Sequence, residues 1–134
     1  MIDPRISLVT LGVEDVDRAV AFYHEGLGFP VERWDTAAFF DLDGGWLSVY
    51  PREALAEDAG VEATPARFDG VTLAHNVDSR EAVDDTLDEL VDASGTLTQP
   101  ARETDWGGYS CYVADPDGHL WEVAWNPHAD LMDV

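Results

Sequence analysis

The sequence predicts an α+β protein built from two tandem βαβββ modules. Three observations predict it. The order strand, helix, strand, strand, strand occurs twice along the 134 residues. Two pairs of anchors recur at matching places. Val13-Glu14 and Val77-Asp78 lie 64 positions apart, and each ends a strand just ahead of a helix. Asp41-Leu-Asp-Gly and Asp115-Pro-Asp-Gly lie 74 positions apart, each in a turn. The ten-residue difference requires insertions between the anchors. Each half is also too small to bury a sound core alone, which favours paired modules. Residues 1–134 thus read as a single domain: 5–50 a first module, 51–67 a connector, 68–126 a second module and 127–134 a C-terminal tail.

In the first module, Ile6 to Val13 is a β-branched, apolar run and reads as a strand. Glu14-Asp15 opens a helix in which Val16, Ala19, Val20 and Tyr23 recur at helical spacing, with Gly26 or Gly28 as the stop. Strands over Pro30–Trp34, Ala37–Leu42 and Trp46–Tyr50 follow, the last two joined by Asp41-Leu-Asp-Gly-Gly. The connector is rich in Ala, Glu, Pro and Gly, and one helical turn is expected in REALAEDAG. The second module opens with a strand over Phe68–Val77. A helix over Ser79–Ala93 follows, N-capped by Asp78 or Ser79, stopped by Gly95 and facing inward with Ala82 or Val83, Leu87, Leu90 and Val91. Strands over Thr96–Gln99, Tyr109–Val113 and Leu120–Trp125 close it.

Composition bounds the function. Hydrophobic residues make up 46% of the chain, enough for a packed core. No apolar run reaches the ~20 residues of a membrane span, and MIDPRISLV lacks the features of a signal peptide. The single Cys111 excludes a disulfide framework and a cysteine-rich zinc site. Asp and Glu total 28 against seven cations, all Arg, for a net charge of −21. Such a surface repels nucleic acid and anionic membranes. The acid groups are spread along helices and loops, and there is no Lys. Charge of this kind repels itself at low ionic strength and is screened over roughly 3 Å in molar salt. A cytoplasmic protein of a high-salt cell is the expectation.

Two stretches carry more: VEDVDRAVAFYHEGLGF near the start and GGYSCYVADPDGHLWEVAWNP near the end. In them the chain resembles the vicinal oxygen chelate superfamily, the glyoxalase / bleomycin-resistance / extradiol-dioxygenase fold, over nearly its whole length. The resemblance implies a curved mixed sheet around a cup and, as in many relatives, a homodimer. In enzymatic members the cup holds a divalent metal, bound by His or Glu from the first and last strands of each module and chelated by two substrate oxygens. The final-strand Glu corresponds to Glu122, and the turn repeat carries that position back to Ser48. The first-strand position of the second module falls on Thr72, and its counterpart is Leu8. Of Leu8, Ser48, Thr72 and Glu122, only Glu122 is an ordinary ligand for a catalytic divalent ion. A slip of one residue gives Ser7, Leu47 and Leu73, which are no better.

Period-two alternation sets Leu120, Ala124 and Asn126 beside Glu122, Ala74 and Asn76 beside Thr72, Thr10 beside Leu8, and Trp46 beside Ser48. Trp106, Tyr109 and Tyr112 are expected at the mouth or wall of the cup. A small, mildly polar lining with aromatic walls is the usual small-molecule site. The leading expectation is therefore a metal-free binder of a small hydrophobic or aromatic molecule, without a cofactor. The alternative is a metal-dependent lyase, isomerase or dioxygenase using Glu122 with His75 and His119 as displaced ligands. Metal-free acid–base catalysis by Glu122 is a third reading. The remaining candidates have structural readings: His75 faces the helix, His119 sits in an exposed turn, His24 and His128 lie on the surface, and Cys111 is a small buried hydrophobe. Gly107-Gly108 is either a lip over the cup or a bulge at a strand start, and Trp121, Val123 and Trp125 point away from Glu122 into core or an interface.

Overall fold

The computed structural model describes residues 1–64 and 68–127, so His128 and the tail after Pro127 lie outside the described residues. The chain divides into two units, Met1–Pro65 and Ala66–Val134. Each carries one four-stranded mixed sheet, and the two sheets have the same topology.

The first unit contains β1 (Leu8–Val13), α1 (Val16–Val20), a π-helical segment (Ala21–Gly26), β2 (Val31–Trp34), β3 (Ala37–Leu42), β4 (Gly45–Pro51) and α2 (Arg52–Ala59). The strand order is β1-β4-β3-β2, with β1 parallel to β4 and the other pairs antiparallel. Asp15 caps α1 through its carboxylate, which accepts from the Arg18 amide. The expected regular helix widens after Val20. That wider turn brings the adjacent Phe22 and Tyr23 inward together, and both are buried. The Tyr23 ring lies 5.5 Å from Phe40 and 5.9 Å from Phe29. Leu11, Val13, Ala38, Phe40, Leu47 and Val49 are the buried strand residues of this core, on the sheet face that the helical segment covers. Gly28, at φ +78°, ends the segment. The connector forms two helical turns where one was expected, and none of the residues of α2 is buried.

The second unit contains β5 (Leu73–Val77), α3 (Arg80–Asp92), β6 (Thr96–Glu103), β7 (Tyr109–Ala114) and β8 (Leu120–Trp125), with strand order β5-β8-β7-β6. Val13 pairs with Pro51 in the first sheet, and Val77 pairs with Trp125 in the second. The parallel registers therefore reproduce both sequence offsets, 64 and 74. Two boundaries move. The strand expected from Phe68 begins at Leu73, because Gly70 turns the chain at φ +82°. The strand expected to stop at Gln99 runs through Pro100 to Glu103. Proline is tolerated there because β6 is an edge strand and its register shifts around this point.

Ser79 caps α3 by accepting from the Ala82 amide. Val83 and Leu90 are buried under the helix with Cys111, Val113 and Val123 of the sheet. Leu87 is half-buried and Val91 exposed. The stop at the far end is divided between two residues. Ser94 takes the left-handed conformation at φ 87°, and the Gly95 amide closes back on the Leu90 carbonyl at 2.8 Å. Gly95 is needed for space: a Cβ there would stand 2.7 Å from both the Leu90 oxygen and Val113 Cγ1. Gly95→Ala should destabilise the protein by about 1–3 kcal/mol through overpacking. Ser94→Gly should stabilise it by about 0.5–1 kcal/mol by relieving the left-handed strain. Urea denaturation at fixed salt measures both.

Candidate functional site

The second sheet has two different faces. On β8, Trp121, Val123 and Trp125 alternate with Leu120, Glu122 and Ala124. The first set lies on the side of α3, since Trp125 sits under Arg80 of that helix. The second set, with Glu122 at its centre, lies on the side away from the helix. Register carries the face across the sheet: Glu122 pairs with Tyr112 on β7 and Ala74 on β5, Ala124 with Ser110 and Asn76, and Ser110 with Arg102. This helix-free face thus gathers Asn76, Glu122, Tyr112 and Arg102 around a floor of small residues.

Glu122 and Tyr112 are cross-strand neighbours, and their side chains interact electrostatically. Burial pushes the Tyr112 hydroxyl above its ordinary pKa; the charge and hydrogen bond of Glu122 raise it further, and the Arg102 cation opposes them. The positive charge that answers the pair comes from β6. Arg102 was absent from the expected site, because the strand that presents it was expected to stop at Gln99 and runs to Glu103. A strand allowed to run through proline at a sheet edge is the signal that would have found it.

Tyr109 does not join this group. It alternates with Tyr112 and faces α3, where its hydroxyl donates to Asp84 Oδ1 at 2.9 Å. Arg80, at the start of α3, lies 5.2 Å from the Tyr109 ring centroid and 5.5 Å from that of Trp125, and its guanidinium bonds Glu103 at 3.0 Å. These contacts tie α3 to β6, β7 and β8. The hydrogen bond to Asp84 and then burial raise the Tyr109 pKa. Cys111 is fully buried on the same side, and burial holds its thiol above the ordinary range.

In the first unit, Leu8 pairs with Trp46, and Thr10 with Ser48. The alternation that set these four together is the alternation observed. Ser48 is buried, whereas Leu8 and Trp46 are each about 40% exposed (42% and 39%). Thr72 falls one residue before β5 and is exposed. His75 pairs with Val123, which places it on the α3 side of the sheet, away from Glu122; the residue is exposed. His119 is part-buried in the turn before β8. Its amide bonds Asp115 Oδ1 at 2.9 Å, and its carbonyl accepts from the Asp115 amide. His24 is exposed, with Nδ1 2.7 Å from the Phe29 carbonyl. The structure thus sets His75 on the opposite sheet face from Glu122, and among the described residues no three His, Cys, Asp or Glu side chains are grouped to hold a metal ion.

The positions that correspond to family ligands carry one aliphatic side chain, two neutral hydroxyls and one carboxylate. That set does not fit a catalytic divalent ion.

The Glyoxalase/Bleomycin resistance protein/Dioxygenase superfamily profile matches residues 5–123. The chain belongs to this superfamily. It is 38% identical to a glyoxalase-related enzyme from Fulvimarina pelagi, with a TM-score of 0.84 over 92% of this chain and 89% of the other. It is 29% identical to the metallothiol transferase FosB of Shouchella clausii over 88% of this chain and 77% of that protein. The fosfomycin resistance protein FosX of Mesorhizobium loti shares the fold, with a TM-score of 0.69 at 17% identity over 98% of this chain and 99% of the other.

The Tyr109–Asp84 bond has a pH signature. A tyrosine whose folded pKa is raised stabilises the fold fully below its unfolded value of 10.0 and progressively less as pH rises above it. The melting temperature of the wild type should fall between pH 9 and about 11, and Tyr109→Phe should flatten that fall. Melting curves across that range at constant salt provide the check.

Proposed function

We propose that this superfamily member binds a small hydrophobic or aromatic molecule without a metal, on the sheet face that carries Glu122. One observation carries the reading. The single metal-class donor among Leu8, Ser48, Thr72 and Glu122 stands directly across the ladder from Tyr112, with Arg102 presented on the same face from β6. A carboxylate held in this way is an acceptor for the hydroxyl or amine of a ligand. On this face of the second unit the lining residues of the reading are Asn76, Thr72, Tyr112, Trp106 and Glu122; in the first unit Leu8, Thr10, Trp46 and Ser48 share the β1–β4 pair. Tyr109 leaves the set because its hydroxyl is engaged by Asp84.

The similarity to a metallothiol transferase favours a second reading, a metal-dependent transfer reaction. The two separate cleanly in a thermal-shift screen of aromatic and cationic compounds run with and without EDTA. The metal-free reading expects a stabilising compound whose shift is unchanged by EDTA and reduced by more than half in Glu122→Gln. A shift that requires added metal selects the transferase.

The charge supports a cytoplasmic protein of a high-salt cell, and the family resemblance a homodimer. Ion pairs at the surface include Arg5–Asp3, Arg33–Asp17 and Arg80–Glu103, but seven Arg cannot neutralise 28 acid groups, so repulsion among the carboxylates dominates. Raising KCl from 0.1 to 3 M shortens the screening length from ~10 Å to below ~3 Å. The melting temperature should rise by at least ten degrees across that range, about what a relief of ~2–3 kcal/mol produces in a domain of this size. A flat profile contradicts the high-salt assignment.

A further inference from the structure

Three aspartates stand directly ahead of a glycine: Asp43-Gly44, Asp69-Gly70 and Asp117-Gly118. Such a step carries its own reaction. The glycine amide nitrogen attacks the γ-carbon of the protonated aspartate. A C–N bond forms, water leaves, and a five-membered succinimide ring results. Water then adds to one of the two ring carbonyls. Opening the new C–N bond regenerates aspartate. Opening the original peptide bond gives isoaspartate, with the main chain routed through the former side chain. The water lost is the water regained, so no oxidant, reductant or cofactor takes part. Glycine is the most permissive successor, because it has no side chain to obstruct the attack.

The attack needs a backbone that rotates and a glycine amide that is not engaged, so the fold decides which step reacts. Asp117-Gly118 is held closed. The Asp117 amide donates to Asp115 Oδ1 at 2.9 Å, the Gly118 amide donates to the Asp115 carbonyl at 3.0 Å, and Asp117 Oδ2 is shut off from solvent. The nitrogen that would attack is thus already bonded. Asp43-Gly44 is exposed, but it forms the tip of the β3–β4 hairpin. Leu42 pairs with Gly45 across it, so the sheet fixes both ends of the step. Asp69-Gly70 differs from both. Residues 68–72 belong to no helix or strand, and Asp69 and Gly70 are exposed. Among the described residues neither makes a backbone hydrogen bond. A Cβ built on Gly70 would meet nothing within 4 Å. The same openness surrounds Gly44 and Gly118, so the hold on the backbone, and not crowding, distinguishes the three.

From this contrast we infer that Asp69-Gly70 is a modification site, where the folded chain isomerises to isoaspartate without an enzyme while Asp43 and Asp117 are protected. The product adds one atom to the main chain just ahead of Thr72 and of β5, the strand that pairs with β8 beside Glu122. The inference is independent of what the sheet face binds.

Ageing the full chain at mildly acidic pH, in water enriched in heavy oxygen, tests it. Each passage through the ring leaves heavy oxygen at the aspartate, and peptide mapping by mass spectrometry locates it. In the folded chain Asp69 should take up label at least about tenfold faster than Asp117, where two hydrogen bonds must open first. It should also outpace Asp43. In the urea-unfolded chain the three should label at similar rates, because the difference lies in the fold and not in the dipeptide. Asp69→Glu should abolish labelling at that position, since the larger ring closes far more slowly. Asp69→Asn should speed ring formation, with ammonia leaving in place of water. Both variants alter an exposed side chain and should keep the wild-type melting temperature. Equal labelling of Asp69 and Asp117 in the folded chain overturns the inference, and so does faster labelling of Asp43. A preference for Asp69 that persists in urea overturns it too, because it would owe nothing to the structure.

Discussion

A carboxylate in the middle of a sheet face has to be accommodated, and here it stands directly across the ladder from a tyrosine. An unpaired charge beneath side chains is costly, and a cation, a metal or a hydrogen-bond donor can meet that cost. Glu122 stands across the ladder from Tyr112, and the Arg102 cation is presented from the strand beyond. Everything else about the site follows from that choice. The strands that flank Glu122 place Ala74 and Asn76 beside it on one side and Tyr112 and Ser110 on the other. None of these is an ordinary ligand for a divalent ion.

The opposite face of the same sheet supports that arrangement. Val123, Cys111 and Val113 are fully buried with Val83 and Leu90 of α3. The Arg80 guanidinium over Tyr109 and Trp125, and the bond from Tyr109 to Asp84, attach the start of the helix to the strands. Strand alternation thus splits one run of sequence into two tasks. Odd-numbered residues of β8 face the helix, and even-numbered ones lie on the helix-free side. A one-residue slip in register would exchange them, and the Asp115 turn, with its carboxylate accepting from the amides of Asp117 and His119, fixes the entry to β8.

Much of this was legible in the amino-acid order, for reasons that can be named. The repeated turns at Asp41 and Asp115 and the strand ends at Val13 and Val77 predicted the duplicated topology, and the observed pairings reproduce both spacings. Alternation placed Glu122 opposite Trp121, Val123 and Trp125 correctly, because period two is a property of the strand itself. What was not legible depended on tertiary context. Pro100 is a breaker in a central strand and harmless at an edge, so Arg102 was hidden until the strand order was known. The π-helical widening at Ala21 follows from burying Phe22 and Tyr23 together, which helical periodicity alone does not anticipate. Tyr109 and Tyr112 read as equivalent aromatics; which one faces α3 was decided by register.

The account turns on whether Glu122 works without a metal. Purified protein, exposed to excess zinc, manganese or ferrous iron and dialysed exhaustively, should retain well under one metal ion per chain by plasma mass spectrometry, with Glu122→Gln indistinguishable from the wild type. One tightly held equivalent in the wild type that disappears in Glu122→Gln would contradict it.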